Sequence, residues 1–118
     1  MNNNLTPEQR ERLLKMTTST FIALQDELWK IQEENFKWQK NESKEGRKVD
    51  LDKFGPPAQV KIDAIRSAYN QYAEVQAHIV GILKSDEYPL TFHQVIGSVE
   101  AGLSIANNEL LKYREQHK

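Results

Sequence analysis

The chain has 118 residues, 38% hydrophobic and 28% charged, which suits one helix-rich domain with a modest core and argues against several independent modules. Sixteen basic residues against seventeen acidic ones leave a formal charge of −1, so no global positive field draws in nucleic acid or an anionic membrane. With no cysteine, disulfides, thiolate chemistry and cysteine-ligated zinc are excluded within the chain.

The first residues are polar and lack the apolar stretch of a secretory signal, and no run approaches a membrane span of about 20 apolar residues. A cytoplasmic protein is the expectation. Thr6, Pro7 and Gln9 read as a helix start, with Thr6 as cap, Pro7 at the first helical position and Gln9 closing a capping box. Helix one is expected over about 7–40. Leu14, Thr17, Phe21, Leu24, Leu28, Ile31, Asn35 and Trp38 alternate at spacings of three and four, a heptad seam with Asn35 as its polar member. Residues 17–20, "TTST", are its weak point, because three threonines and a serine favour helix poorly and leave room for a kink.

Residues 41–55 hold four basic and four acidic residues with little apolar content and read as a charged connector. "GPP" at 55–57 suits the start of a second helix over about 56–84, because first-turn prolines lack only amides that would be unpaired anyway. Its expected seam is Ala58, Ile62, Ile65, Tyr69, Tyr72, Gln76, Ile79 and Leu83, and "VQAHIVGIL" is apolar nearly all round, as for burial on several sides. Thr91 with Gln94 forms a second capping box, with a hydrophobic staple between Leu90 and Val95. It opens a third helix over about 92–116 whose seam is Phe92, Ile96, Val99, Leu103, Ala106, Leu110 and Tyr113. Gly97 and Gly102 each cost about 1 kcal/mol there relative to alanine, which close approach of another backbone would offset.

The fold class expected is therefore an all-α three-helix bundle with a long N-terminal helix, assembled into a homo-oligomer. At about 1.5 Å per residue the helices measure roughly 50, 40 and 37 Å, so the first overhangs the others. The short connection makes helices two and three antiparallel neighbours, while the longer one permits helix one to return or to swing into another subunit.

Helix one carries a second stripe. With Leu14, Phe21, Leu28 and Asn35 at heptad position a, Ile22, Trp29 and Phe36 fall at b, and the uncharged Thr18, Gln25, Gln32 and Gln39 fall at e. Asp26, Glu27, Lys30, Glu33, Glu34 and Lys37 occupy the remaining arc. Aromatics are enriched at interface cores, so Ile22, Trp29 and Phe36 are the interface candidates, with Trp38 bridging core and loop. The plainer alternative is that the chain's own third helix covers both stripes.

Catalytic chemistry is hard to find. Glu74 and His78 share a helix face but fall short of a metal site, His93 lies in a capping region and His117 is near the end of the chain, so none is assigned catalysis or metal. Glu33 and Glu34 raise a magnesium-dependent nucleotide hydrolase, yet the second acidic cluster such a site needs is missing. No phosphate loop or nucleophile elbow is present, and no cofactor is expected. The connector's Lys44, Arg47, Lys48 and Lys53 can contact phosphates and Phe54 can stack on a base, so one alternative is an oligomeric sponge for a nucleotide-type ligand. Four interleaved acids offset those charges, which favours an ordinary solvated connector.

Residues 91–103, "TFHQVIGSVEAGL", resemble a short segment of small accessory proteins of tailed phages. The resemblance implies a mobile-element origin and a host protein, including a defence component, as target. It carries over no functional residues. The reading favoured is a non-catalytic binding protein that self-associates through helix one and acts stoichiometrically, with the sponge and the hydrolase as alternatives.

Overall fold

A computed structural model describes residues 5–84 and 91–117, which form helices α1 (Pro7–Met16), α2 (Thr18–Lys44), α3 (Pro56–Lys84) and α4 (Phe92–Gln116). Helix one is thus one bent rod made of α1 and α2. The bend falls at Thr17, inside the weak stretch. There the hydroxyl donates to the Leu14 carbonyl (3.2 Å) and accepts from Gln76 Nε2 (2.9 Å). A threonine that bonds back into its own helix bends it, and the α3 partner holds the bend in place.

Both capping boxes form. Gln9 N donates to Thr6 Oγ1 (3.1 Å) and Thr6 N to Gln9 Oε1 (2.9 Å), and Thr91 with Gln94 repeats the pattern. Leu90, the staple partner expected for Val95, lies outside the described residues. The end of helix one differs from the sequence expectation, since α2 runs to Lys44 and the connector is only 45–55. Gly46, at φ 78°, supplies the stop: its amide donates to the Ser43 carbonyl and that of Arg47 to the Glu42 carbonyl. This is the glycine-terminated helix end in which the left-handed residue satisfies orphan carbonyls.

α3 and α4 run antiparallel, with Gly102 packed on Val75 and Ser98 beside His78. Helix one returns antiparallel to α3 within the same chain. Arg10 Nη1 donates to the Leu83 carbonyl at one end and Gly55 N to Asn35 Oδ1 at the other. It lies parallel to α4, tied by Thr20 to Asn107 and by Arg114 to Glu27. The result is a rod of 66 × 26 × 18 Å. Beyond Glu34 the rod passes the end of α4 and rests on Gly55 and the start of α3, as the expected overhang requires. Among the described residues no helix is long and apolar enough to cross a membrane.

The α4 seam is buried as expected apart from Phe92, which is partly covered. Helix one's is not. Leu13, Thr17, Thr20, Leu24, Glu27, Ile31 and Asn35 are buried, while Leu14 and Phe21 are exposed and Leu28 only half-buried. Over the first half of the rod one row of the seam steps back by a residue, from 14, 21 and 28 to 13, 20 and 27, while Thr17, Leu24 and Ile31 stay in place, because α4 accepts the new row's polar members: Thr20 Oγ1 lies 3.0 Å from Asn107 Oδ1, and Arg114 Nε lies 3.0 Å from Glu27 Oε1. Buried polar groups with partners cost little, so the chain buries these and turns Leu14 and Phe21 outward. On α3, Tyr69 is exposed and Ala68 is buried instead, and the "VQAHIVGIL" stretch leaves Val80 and Gly81 in solvent. The expected approach of another backbone is found at neither glycine: a Cβ at Gly102 would meet the Val75 side chain, and one at Gly97 would meet nothing.

A candidate protein interface on helix one

Passing round helix one from its α3 side, about 100° per residue places Leu14 of α1 with Phe21 and Leu28 of α2 first. Thr18, Gln25, Gln32 and Gln39 come next, then Ile22, Trp29 and Phe36, then Asp26, Glu33 and Lys40. Leu14, Phe21, Ile22, Trp29 and Phe36 are all exposed, with Trp29 and Phe36 each 63% so. The shift of the seam therefore adds Leu14 and Phe21, core residues by heptad spacing, to the exposed face beside the second stripe. The aromatics lean on neighbours of their own helix: Trp29 Nε1 donates to Glu33 Oε1 (3.1 Å), and Lys40 Nζ stands 5.9 Å from the Phe36 ring centre. Trp38 does not join them, being packed against Gly55 on the opposite side of the helix.

Beside the stripe, the groove between α2 and α3 is open. Phe21 lies 6.0 Å from Tyr72 between ring centres, and Tyr69 lies 6.4 Å from the same ring. A recess of about 320 Å³ follows, lined by Leu28, Ile62, Ile65, Arg66, Tyr69 and Asn70. Arg66 pairs with Asp63 at 3.3 Å, with both side chains largely in solvent, so the pair binds its guanidinium weakly.

On the other side of helix one, a polar recess of about 440 Å³ lies at the C-terminal end of α4. Arg114 and Lys30 reach Glu27, and Lys61 pairs with Glu34. Burial first, then the carboxylates of Glu27 and Glu34, push the Tyr113 phenol from 10.0 up to about 12. A pKa raised in the folded state means that folding favours the neutral phenol. The stabilisation is whole below pH 10 and is lost as pH rises toward 12. Thermal melts should therefore fall more steeply from pH 10 to 12 for the parent chain than for Tyr113→Phe.

The connector's basic residues lie on the surface of the single chain. Lys44, Arg47, Lys48, Lys53 and Phe54 are all exposed. Arg47 is engaged with Glu42 at 3.0 Å, and the backbone amide of Lys53 closes a turn onto the Asp50 carbonyl. Glu33 and Glu34 serve Trp29 and Lys61, and among the described residues no three His, Cys, Asp or Glu side chains are grouped to hold a metal ion. His78 contacts Ser98, and His117 caps α4 against the Tyr113 ring. Comparison with protein-family models, curated proteins and solved structures returned no match, leaving the chain's own surface as the guide to its function.

Proposed function

We propose that this chain is a non-catalytic helical binding protein that acts by stoichiometric protein–protein contact, and that a second copy of itself is the partner engaged by the second face of helix one. The exposed stripe of Leu14, Phe21, Ile22, Trp29 and Phe36 carries the reading. At about 150–250 Å² for each large side chain, their exposed portions sum to roughly 500 Å², in two rows on either side of a glutamine row. With the intervening Thr18, Gln25, Gln32 and Gln39, the face approaches the roughly 800 Å² each partner gives to a standard interface.

Chemistry favours self-recognition. A twofold contact sets a face against its own copy, so a centre of one charge sign would repel itself. Here the centre is neutral, and a glutamine amide both donates and accepts, so it can pair with an identical amide. The phage-like resemblance adds a host protein to this reading as a second partner.

Sedimentation equilibrium tests the proposal. The parent chain should associate, and Trp29→Asp should weaken association by about 2 kcal/mol or more, near 30-fold in Kd, while keeping its helical circular dichroism. A parent mass and a Trp29→Asp mass that both stay monomeric would overturn it, as would an oligomer indifferent to the substitution.

A further inference from the structure

We infer that the self-association proposed above, on which this inference rests, is a parallel twofold dimer whose axis runs along the rod, with each copy's Trp29 seated in the α2–α3 recess of the other. Three observations converge on it.

The first is the level of knob and hole. A closed twofold parallel to the helices moves nothing along the rod, so every residue stays level with its own copy. Trp29 can therefore enter only a recess at its own height. The recess lined by Leu28, Ile62, Ile65 and Tyr69 is at that height, because Leu28 is the neighbour of Trp29 in sequence.

The second is the order of residues around α2. A helix laid in the α2–α3 groove touches α2 with one part of its face and α3 with the adjoining part. When the occupant is a parallel copy, the Gln25 and Gln32 row meets its own copy and the Ile22, Trp29 and Phe36 row turns toward the partner's α3. Thr18, Ile22, Gln25, Trp29, Gln32, Phe36 and Gln39 alternate at four and three, the spacing of a coiled-coil seam whose second helix is missing from the single chain. An antiparallel copy would turn Trp29 away from α3.

Charge and π-electron complementarity is the third. Arg66 stands on the rim of the recess, and Asp26 and Glu33 flank the Trp29 row. Seating the row brings these opposite charges together and sets the loosely paired Arg66 guanidinium beside an indole, a favoured cation–π partner. Tyr69 and Ile62, residues of α3, thereby become part of the binding site.

Single cysteines test the arrangement, because the chain has none of its own. Gln25→Cys and Gln32→Cys are made separately, with Lys112→Cys on the exposed face of α4 as control, and each is oxidised under dilute conditions. A parallel twofold axis places residues 25 and 32 each opposite its own copy, so both variants should form disulfide-linked dimers and the control should not. Any antiparallel dimer brings at most one of them onto its axis. Tyr69→Glu should also raise Kd at least about tenfold by sedimentation, with circular dichroism reporting its folding.

If the parent chain dimerises but only one cysteine position or neither cross-links, the parallel arrangement is overturned while self-association stands. Cross-linking at both positions with Tyr69→Glu folded and equally tight removes the recess from the interface and overturns the inference in that respect. A parent chain that stays monomeric throughout overturns the proposed function and the inference together.

Discussion

Leu13→Ala is expected to lower unfolding stability by about 2–5 kcal/mol, whereas Leu14→Ala, one residue along, should change it by no more than about 0.5 kcal/mol. Leu13 is 0% exposed and packs in the cluster of Val75, Ile79, Ile82, Val95, Ile96, Val99 and Leu103, while Leu14 is 53% exposed. Truncating Leu13 removes apolar burial and leaves a cavity at the point where three helices meet. Leu13 is also the one fully buried side chain that α1 contributes among the described residues, so the ten-residue helix loses its anchor. Urea melts made in a Trp29→Asp background, to keep the proposed self-association out of the comparison, would decide it. Equal costs at the two positions, or a larger cost at Leu14, would restore the unrotated seam.

That pair of leucines shows where the sequence was and was not legible. Helix number, both capping boxes, the bend near Thr17 and the α4 seam all follow from short-range signals: spacing, cap residues and propensity. The rotation of helix one's seam does not. It depends on Asn107 and Arg114 reaching Thr20 and Glu27 across 87 positions, and apolar spacing carries no information about such partners. A seam chosen by hydrophobicity therefore selects Leu14, Phe21 and Leu28 over Leu13, Thr20 and Glu27.

The candidate interface was legible for the same reason that the seam was misread. Ile22, Trp29 and Phe36 stand out because they are apolar where a one-seam helix is polar, and that contrast is local. Leu14 and Phe21 belong beside them but were absorbed by the wrong seam, and Tyr69 and Ile62 of α3 come alongside only through the antiparallel return of helix one. The stop at Gly46 was available from sequence. A glycine after Asn41–Glu45 is a common helix terminator, but the density of charge made the whole segment read as connector.

Gly55→Ala is the second substitution with a large expected effect, a loss of about 1–3 kcal/mol from overpacking. A Cβ built at Gly55 would collide with Cε3 and Cζ3 of the Trp38 ring, an aromatic edge held on the overhanging part of helix one. The backbone there is engaged as well: Gly55 N donates to the buried Asn35 Oδ1 at 2.8 Å, and its carbonyl accepts from Gln59 N at 2.9 Å in the first turn of α3. One residue thus joins the polar member of the seam, the indole and the start of the next helix, so it cannot move aside without breaking one of these contacts. Asn35→Ala should cost about 1–3 kcal/mol by leaving the Gly55 amide unpaired. The double variant should cost less than the two losses added, by at least about 0.5 kcal/mol, because either substitution already undoes the same latch. Additive losses in urea melts would mean that Trp38 and Asn35 hold the connector independently. The latch also separates the roles expected of the two tryptophans: undoing it should shift Trp38 fluorescence to the red in a Trp29→Phe background, whereas Trp29→Asp should leave the connector in place and weaken only the proposed self-association.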